Sequence, residues 1–303
     1  MPISELAPPS LHDTDLLTRL PTMLKIAVPN KGSLADSAAA MLREAGYRQR
    51  SDTRDLVMTD PTNDVEFFYL RPRDIAVYVG EGTLDIGLTG RDLVLDARAP
   101  VTERMELGFG ESQFFFAGPV DGPNSVDQLE GKRIATSYAG LLEEYLKEKS
   151  LTARVVRLDG AVESAVRLGV ADVIADVVET GNTLRQAGLE IFGDPILTSV
   201  AVLVTRNSTS DPAGLDVFLR RLKGVLVARS YVMMDYDIRV EQVELACVLT
   251  PGIESPTVSP LHREGWVAVR SMVPHDDAQR VMDALYDLGA RGILVTNIHA
   301  CRL

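Results

Sequence analysis

The chain contains few of the side chains that most often hold transition metals, because its 303 residues include two cysteines and four histidines. Cys247 and Cys301 are too few for a disulfide framework, and no histidine lies at a metal-ligand spacing from them. We interpret both as buried thiols of a protein in a reducing compartment. His275 falls near a predicted helix start and His299 near a strand end, so we predict structural roles for both.

Long apolar runs are missing as well, although 46% of the residues are hydrophobic. No run approaches the ~20 residues of a membrane-spanning helix, which argues against a membrane partner. Residues 1–22 lack the basic start and apolar centre of a secretory signal, so we predict a flexible extension, with Met23 as an alternative start. A cytoplasmic location follows from these expectations.

Positive charge is scarce: 31 lysines and arginines face 43 acidic residues, and the net charge is −12. This balance argues against nucleic acid as a partner, which normally requires a basic patch. Polyanionic substrates would need local cations, helix N-termini or a metal to overcome the overall negative field.

Alternating strand and helix patterns dominate the first three quarters of the chain. Two stretches share one layout, and each ends in an Asp-bearing strand followed by a Thr-Gly turn, LDIGLTGRDL and ADVIADVVETGNTL. Such alternation predicts parallel sheets with ligands beyond the carboxyl ends of the strands, so two facing lobes would form a cleft. We assign residues 23–112 and 205–230 to lobe I and residues 113–204 to lobe II.

The pattern changes at Tyr231, where the order becomes βαββαβ. This is the ferredoxin-like layout, and we assign residues 231–303 to such a C-terminal domain. Nothing in that stretch carries catalytic chemistry.

The most informative segment is residues 163–184, ESAVRLGVADVIADVVETGNTL. Asp176 lies inside an apolar strand, where an unpaired carboxylate is costly, and a TGNT turn follows at a predicted helix start. Backbone N–H groups at such a start form an anion site, so a phosphorylated ribose fits both features. The alternative is a simple helix cap by Thr180 or Thr183, with Asp176 as a turn former.

This segment resembles the signature of the ATP phosphoribosyltransferase family, and the resemblance extends from Leu24 to Leu303. Every fixed position of that signature is filled: Glu163, Gly169, Ala171, Ile174, Asp176, Val177, Thr180, Gly181, Thr183 and Leu184. The resemblance implies an α/β fold in which a two-lobed, periplasmic-binding-protein-like catalytic part precedes the ferredoxin-like domain.

The implied reaction opens L-histidine biosynthesis: phosphoribosyl passes from phosphoribosyl pyrophosphate to N1 of ATP, giving phosphoribosyl-ATP and pyrophosphate. By analogy with glycosyl chemistry we expect an oxocarbenium-like transition state. Mg²⁺ is the expected cofactor, neutralising pyrophosphate through oxygens, while its protein ligands stay unknown. N1 of adenine already carries a lone pair, so no strong base is required.

In the phosphoribosyl half we predict catalytic roles for Asp176 and Glu163, although Glu163 is open between ribose, a metal-bound water and neither. The resemblance places the following loop around the substrate: Val177, Val178, Glu179, Thr180, Gly181, Asn182, Thr183 and Leu184. Val177, Val178 and Leu184 are alternatively packing residues.

In the opposite half, Lys31 of the loop PNKGS is the third predicted catalytic residue, beside a helix start suited to pyrophosphate. A solvated lysine is the alternative. Arg71 suits bidentate phosphate binding, whereas Arg73 equally well pairs with Asp74. The resemblance also places the turn of Thr89, Gly90 and Asp92 at the cleft, although Asp92 alternatively favours a helix start through its dipole.

The C-terminal domain marks the long form of the family, which binds L-histidine as feedback inhibitor. The resemblance suggests a histidine site formed by Asp237, Ile253, Ser255, Thr257, Met272 and Gly292. Taken alone, Asp237 fits better as a turn residue, and the loop PGIESPT favours the ligand role. It also implies inhibition by AMP and ADP, and assembly into dimers and hexamers.

Three rivals share parts of this pattern. A solute-binding protein would normally carry an export signal, and a transcription regulator would need a DNA-binding helix-turn-helix. A catalytically silent regulatory subunit is the strongest rival, and the intact phosphate motif argues against it.

Overall fold

The computed structural model describes residues 23–178 and 181–302, in which fifteen strands and nine helices form. Lobe I holds β1 (Leu24–Pro29), β2 (Val57–Asp60), β3 (Val65–Leu70), β4 (Ile86–Gly90), β5 (Val101–Glu106), β11 (Ala201–Arg206), α1 (Ser33–Glu44), α2 (Pro72–Gly80), α3 (Arg91–Ala97) and α7 (Leu215–Ser230). Lobe II holds β6 (Ser112–Pro119), β7 (Arg133–Thr136), β8 (Arg154–Arg157), β9 (Val173–Val178), β10 (Leu189–Ser199), α4 (Ala139–Glu148), α5 (Ser164–Arg167) and α6 (Asn182–Gln186). The C-terminal domain holds β12 (Tyr231–Arg239), β13 (Thr257–Pro260), β14 (Trp266–Pro274), β15 (Arg291–Asn297), α8 (Val243–Leu249) and α9 (Ala278–Asp287).

The two lobes share one strand arrangement. Their sheets run β2-β3-β1-β4-β11-β5 and β10-β6-β9-β7-β8. In each lobe three parallel strands lie side by side, and the strand that enters from the other lobe is antiparallel to the third, β11 beside β4 and β6 beside β9. This repeated layout is the two-lobed, periplasmic-binding-protein-like architecture that the sequence predicts.

The predicted parallel strands form the centre of each sheet, but both sheets are mixed because antiparallel strands flank them. The sequence pattern also misses β2, β5, β6 and β10. In β10 the reason is local: Gly193 and Pro195 interrupt the strand, and its ladder with β6 skips from Phe192 to Leu197. Glycine and proline inside a strand normally indicate a bulge, so the segment does not have the pattern of a continuous strand.

Each lobe has its own apolar core, and α7 packs into that of lobe I although it follows lobe II in the chain. Phe218 of α7 contacts Tyr47, with ring centroids 5.2 Å apart, and Tyr47 contacts Phe67 of β3 at 5.8 Å. Phe67 and Phe218 are fully buried, so this contact fixes the return of the chain to lobe I.

The C-terminal domain has the ferredoxin-like sheet order β13-β14-β12-β15. In β12 burial alternates, and Val232, Met234, Tyr236 and Ile238 pack in one cluster with residues of α8 and α9. The alternate residues lie on the other face of the sheet, since side chains alternate along a strand.

The cysteines differ from expectation, because Cys247 in α8 and Cys301 after β15 are both partly exposed rather than buried. Burial still raises the pKa of the Cys247 thiol. His275 opens the turn before α9, and His299 follows β15, as predicted. In the part of the chain that the structure describes, no helix is long and apolar enough to cross a membrane.

Candidate active site

The lobes meet where the end of α3 contacts the start of α4. Asp96 of lobe I accepts hydrogen bonds from the backbone N–H groups of Gly140 (2.8 Å) and Leu141 (3.3 Å) of lobe II. Beside this contact a cavity of about 520 Å³ lies between the lobes, lined in part by Arg73, Arg98 and Arg157. Its lining comes from α2, the end of α3, the start of α4 and β8.

Asp176 lies near the carboxyl end of β9, half-buried, with its Oδ1 accepting the N–H of Val177 at 2.8 Å. Burial raises the pKa of Asp176 to about 6, the negative charge of Glu163 acts in the same direction, and Arg73 opposes it. The charged groups that act on this carboxylate thus come from both lobes, Glu163 from lobe II and Arg73 from lobe I.

The predicted phosphate loop is only partly described, because Glu179 and Thr180 lie outside the described residues. Gly181 precedes α6 as its N-cap with a φ of 68°, a conformation that suits glycine. Thr183 is exposed, and since it follows the N-cap position it does not cap this helix. Asn182 Oδ1 accepts a hydrogen bond from Arg185 at 2.7 Å.

The apolar members of the same segment pack into lobe II. Leu184 is buried in a cluster that Val178 also contacts, while Val177 packs against the neighbouring cluster. The structure thus supports packing roles for their side chains, and only their backbone is left to face a ligand.

The turn between β4 and α3 is held by buried polar contacts. Thr89 Oγ1 donates to the carbonyl of Pro72 at 2.8 Å. The N–H of Asp92 donates to Ser199 Oγ, which in turn donates to Asp92 Oδ1, both at 3.0 Å. A Cβ on Gly90 would lie 2.3 Å from Asp92 Oδ1, so this carboxylate occupies the space that glycine leaves.

Two residues of the site were missed by sequence reasoning. Ser199 lies 107 positions from Asp92, and no local pattern relates them. Tyr138, between β7 and α4, has its pKa raised by burial and then by the negative charge of Asp92. Its ring lies 4.9 Å from the guanidinium carbon of Arg73. The sequence did offer one signal for Tyr138, because residues that follow the carboxyl end of a parallel strand often line the ligand site.

The three basic residues of lobe I that the sequence singles out differ in exposure and in their ion-pair partners. Lys31 is exposed in the turn before α1, and Arg71 is exposed at the N-cap of α2. Arg73 pairs with Asp96 at 2.5 Å, a different partner from Asp74, which the sequence left open as one alternative. Asp96 lies on the adjacent helix α3, a proximity that the sequence does not reveal.

One further residue supports the Lys31 turn. Arg50 donates to the carbonyl of Asn30 at 3.1 Å and to those of Thr53 (2.8 Å) and Asp55 (2.9 Å). Its guanidinium carbon also lies 4.0 Å from the ring centroid of Tyr69. Arg50 thereby ties the loop after α1 to the end of β1.

The sequence predicts that Asp237 follows the strand YVMMDY. In the structure of the C-terminal domain, Asp237 instead lies within β12. A Cβ on Gly292 would be 3.7 Å from Asp237 Oδ2, so these two residues are neighbours. Thr257 and Met272 share the sheet face of Asp237, away from the cluster formed with α8 and α9. Met272 lies four residues along β14 from Ala268, the register partner of Asp237, a distance of ~13 Å.

The remaining two predicted histidine contacts, Ile253 and Ser255, are exposed in the loop before β13. The single chain therefore groups Asp237 with Gly292 and leaves Met272 apart from them. Among residues 23–178 and 181–302, no group of three or more His, Cys, Asp or Glu side chains forms a metal-binding cluster.

Comparison with known proteins agrees with this architecture. The family model for ATP phosphoribosyltransferase matches residues 71–224, and the model for the HisG C-terminal domain matches residues 228–300. An ATP phosphoribosyltransferase of Paenarthrobacter aurescens is 66% identical over 286 residues, which cover 93% of this chain and 100% of the relative. That of Pseudarthrobacter chlorophenolicus is 68% identical over 284 residues, with the same shares covered.

A solved structure extends the likeness to three dimensions. The ATP phosphoribosyl transferase (HisG:HisZ) complex from Thermotoga maritima contains a chain with a TM-score of 0.57 and 29% identity, covering 67% of this chain and 98% of that one. The domain match at the C-terminus distinguishes the long form. The chain therefore belongs to the ATP phosphoribosyltransferase family, in the form that carries the C-terminal domain.

Proposed function

We propose that the enzyme transfers the phosphoribosyl group of phosphoribosyl pyrophosphate to N1 of ATP in the cleft between the lobes, as the first step of histidine biosynthesis. The observation that carries this proposal is the half-buried Asp176 at the end of β9, a few residues before the Gly181 turn that starts α6. A carboxylate beside backbone N–H groups matches ribose hydroxyls beside a 5′-phosphate.

In lobe II, Asp176 accepts hydrogen bonds from the ribose hydroxyls, and residues 179–184 surround the 5′-phosphate. We assign Glu163 to the same hydroxyls because its charge acts directly on Asp176. Burial deprives the Asp176 carboxylate of hydrogen bonds from water. Ribose hydroxyls could donate hydrogen bonds in place of that water, so the site favours a ligand with several hydroxyl groups.

In lobe I, Lys31 and Arg71 are exposed cations at the carboxyl ends of β1 and β3. We assign them to the pyrophosphate and triphosphate oxygens, and the Thr89–Gly90–Asp92 turn to positioning ATP. Lys31 stabilises charge on the leaving pyrophosphate, which is where negative charge grows as the anomeric carbon–oxygen bond breaks.

The chemistry itself requires little from the protein. Because N1 of adenine has a lone pair, catalysis reduces to positioning the two substrates, excluding water and neutralising the leaving group. Mg²⁺ fits as part of the phosphoribosyl pyrophosphate substrate, since it binds phosphate oxygens with one or two carboxylates, and Asp176 and Glu163 are the candidates. Bound there, it would supply charge neutralisation for the departing pyrophosphate.

For regulation, we propose that L-histidine binds the C-terminal domain, with Asp237 and Gly292 as the centre of its site. The other proposed histidine contacts are Ile253, Ser255, Thr257 and Met272. The ~13 Å between Met272 and Asp237 in one chain favours a site that a second copy completes, in keeping with a dimer or hexamer. AMP is proposed to compete at the active site, and the enzyme to act in the cytoplasm. The proposed domain bounds are those predicted above, except that lobe I resumes with β11 at Ala201 rather than at residue 205.

The test is to mix the protein with ATP, phosphoribosyl pyrophosphate and Mg²⁺ and to follow phosphoribosyl-ATP by ultraviolet absorbance. We expect product formation that depends on all three components. An absence of product, with binding of both substrates demonstrated by calorimetry, would refute the proposal and favour a silent regulatory subunit.

A further inference from the structure

Asp96 is a carboxylate of lobe I whose partners lie largely in lobe II. Its Oδ1 accepts the N–H groups of Gly140 and Leu141 at 2.8 and 3.3 Å, and its Oδ2 accepts Arg73 Nη1 at 2.5 Å. Only 9% of its side chain is exposed, compared with 37% for Arg73. Both oxygens are therefore engaged where solvent cannot substitute for them.

The helix that receives Asp96 lacks a cap of its own. Tyr138, the N-cap residue of α4, makes no side-chain capping hydrogen bond. The first N–H groups of a helix need acceptors, and a negative charge there is favoured by the helix dipole. Asp96 supplies both from the other lobe, so the N–H groups of Gly140 and Leu141 keep this acceptor only while the lobes are together.

Gly140 provides the space for this contact. A Cβ at this position would lie 2.2 Å from the backbone oxygen of Asp96. That neighbour is main chain and cannot rotate away, so any other residue would push α3 and α4 apart. The φ of Gly140 is not positive, which leaves close approach as the reason for glycine here.

The same carboxylate orients Arg73. The guanidinium that Asp96 binds lies 4.9 Å from the ring centroid of Tyr138 and acts on Asp176. One oxygen of Asp96 thus contacts lobe II and the other binds Arg73. A change in the distance between the lobes would therefore also move the guanidinium of Arg73.

We propose that Asp96 is a positioning residue that caps α4 across the lobe boundary, holds the lobes closed, and fixes the guanidinium of Arg73 against the ring of Tyr138. This inference rests on the proposed function for its catalytic consequence, because transfer requires both substrates in one closed cleft. Its structural part, the closure of the lobes, stands apart from activity.

The test compares Asp96→Asn and Gly140→Ala with a matched control, Glu143→Gln. Glu143 pairs with Arg98 at 3.2 Å across the same boundary, but both side chains are about half exposed, so the pair contributes little. Spin labels on Arg43→Cys, in the last turn of α1, and on Lys132→Cys, exposed just before β7, report the lobe separation in a chain whose native cysteines are replaced by serine. Dilution with unlabelled protein removes distances between copies.

We expect longer and broader label distances in D96N and G140A, and wild-type distances in E143Q. In steady-state assays kcat/KM for ATP at saturating phosphoribosyl pyrophosphate should fall on the order of 10- to 100-fold in the first two variants, mainly through KM. Arg73→Lys, which keeps the charge but loses the planar fork, should reproduce the kinetic defect with less change in distance.

Unchanged distances together with kinetics within about twofold of wild type in D96N and G140A would overturn the inference. A wild-type protein without transferase activity would refute the proposed function instead. In that case the distance measurement still decides whether Asp96 closes the lobes.

Discussion

Replacing Asp176 by asparagine should make the unliganded enzyme more stable while it removes activity. Burial holds the pKa of this carboxyl at about 6, compared with its ordinary 3.8. The folded state therefore binds the Asp176 proton more tightly than the unfolded chain does. Between about pH 4 and pH 6 the free energy of unfolding falls as pH rises, and above about pH 6 the whole cost is present.

The size of the effect follows from the two pKa values. The difference between about 6 and 3.8 corresponds to ~3 kcal/mol at 25 °C, which is the cost of keeping the carboxylate charged in the empty cleft. Asparagine carries no charge and its Oδ1 can still accept the N–H of Val177. Asp176→Asn should therefore gain up to ~3 kcal/mol at pH 7.5 and nothing below about pH 4.

The measurement must report on lobe II rather than on the whole chain. The single tryptophan, Trp266, lies in the C-terminal domain, so its fluorescence would follow the wrong unit. Hydrogen exchange of peptides from β7 and β9 along a urea series gives the local free energy of opening. Activity should fall on the order of 100-fold in kcat/KM, because ribose loses its charged acceptor.

Asp172→Asn is the matched control, on the residue just before the same strand. Its pKa is lowered, first by the side-chain hydrogen bond from Arg133, so its stabilising effect is present at neutral pH and is lost as pH falls. This variant should lose stability at pH 7.5. If Asp176→Asn is no more stable than wild type at pH 7.5, or if its gain does not depend on pH, the electrostatic reasoning is refuted.

Three further substitutions test the site and its regulation. Gly90→Ala places a Cβ 2.3 Å from Asp92 Oδ1 and should reduce kcat/KM for ATP about tenfold, whereas wild-type kinetics would contradict the role of this turn. Arg50→Ala removes hydrogen bonds to three carbonyls, including that of Asn30. It should lower the free energy of opening of the loop after α1 by ~2 kcal/mol and so speed amide exchange there. Unchanged exchange would argue that Arg50 does not support the Lys31 turn. Asp237→Ala should weaken histidine inhibition, measured as an inhibition constant, with turnover retained; full inhibition would exclude this site.

Much of the fold could be predicted because its signals are local. Apolar strands followed by Thr-Gly turns, and the βαββαβ order after Tyr231, are properties of neighbouring residues, which set the period of burial. β10 escaped because Gly193 and Pro195 break its pattern, and the antiparallel entry of β6 and β11 escaped because strand direction depends on where the chain crosses between lobes.

In the candidate site, too, the features set by neighbouring residues could be predicted and those set by distant residues could not. Asp176 and the Gly181 turn could be recognised because a carboxylate in an apolar strand and a glycine at a helix start lie within one short segment. Ser199 against Asp92, and Asp96 against Gly140, could not, because each pair joins residues distant in sequence.

The sequence by itself determined the class of fold and the family, and it proposed a segment for binding a phosphoribosyl group, since these depend on residue type and spacing. Only the tertiary structure decided that Arg73 pairs with Asp96 and that the start of α4 is capped from the opposite lobe. It also decided that Tyr138 lies against Arg73. The physical reason is that hydrogen bonds and ion pairs act over a few ångströms, and proximity between distant residues exists only after the chain has packed.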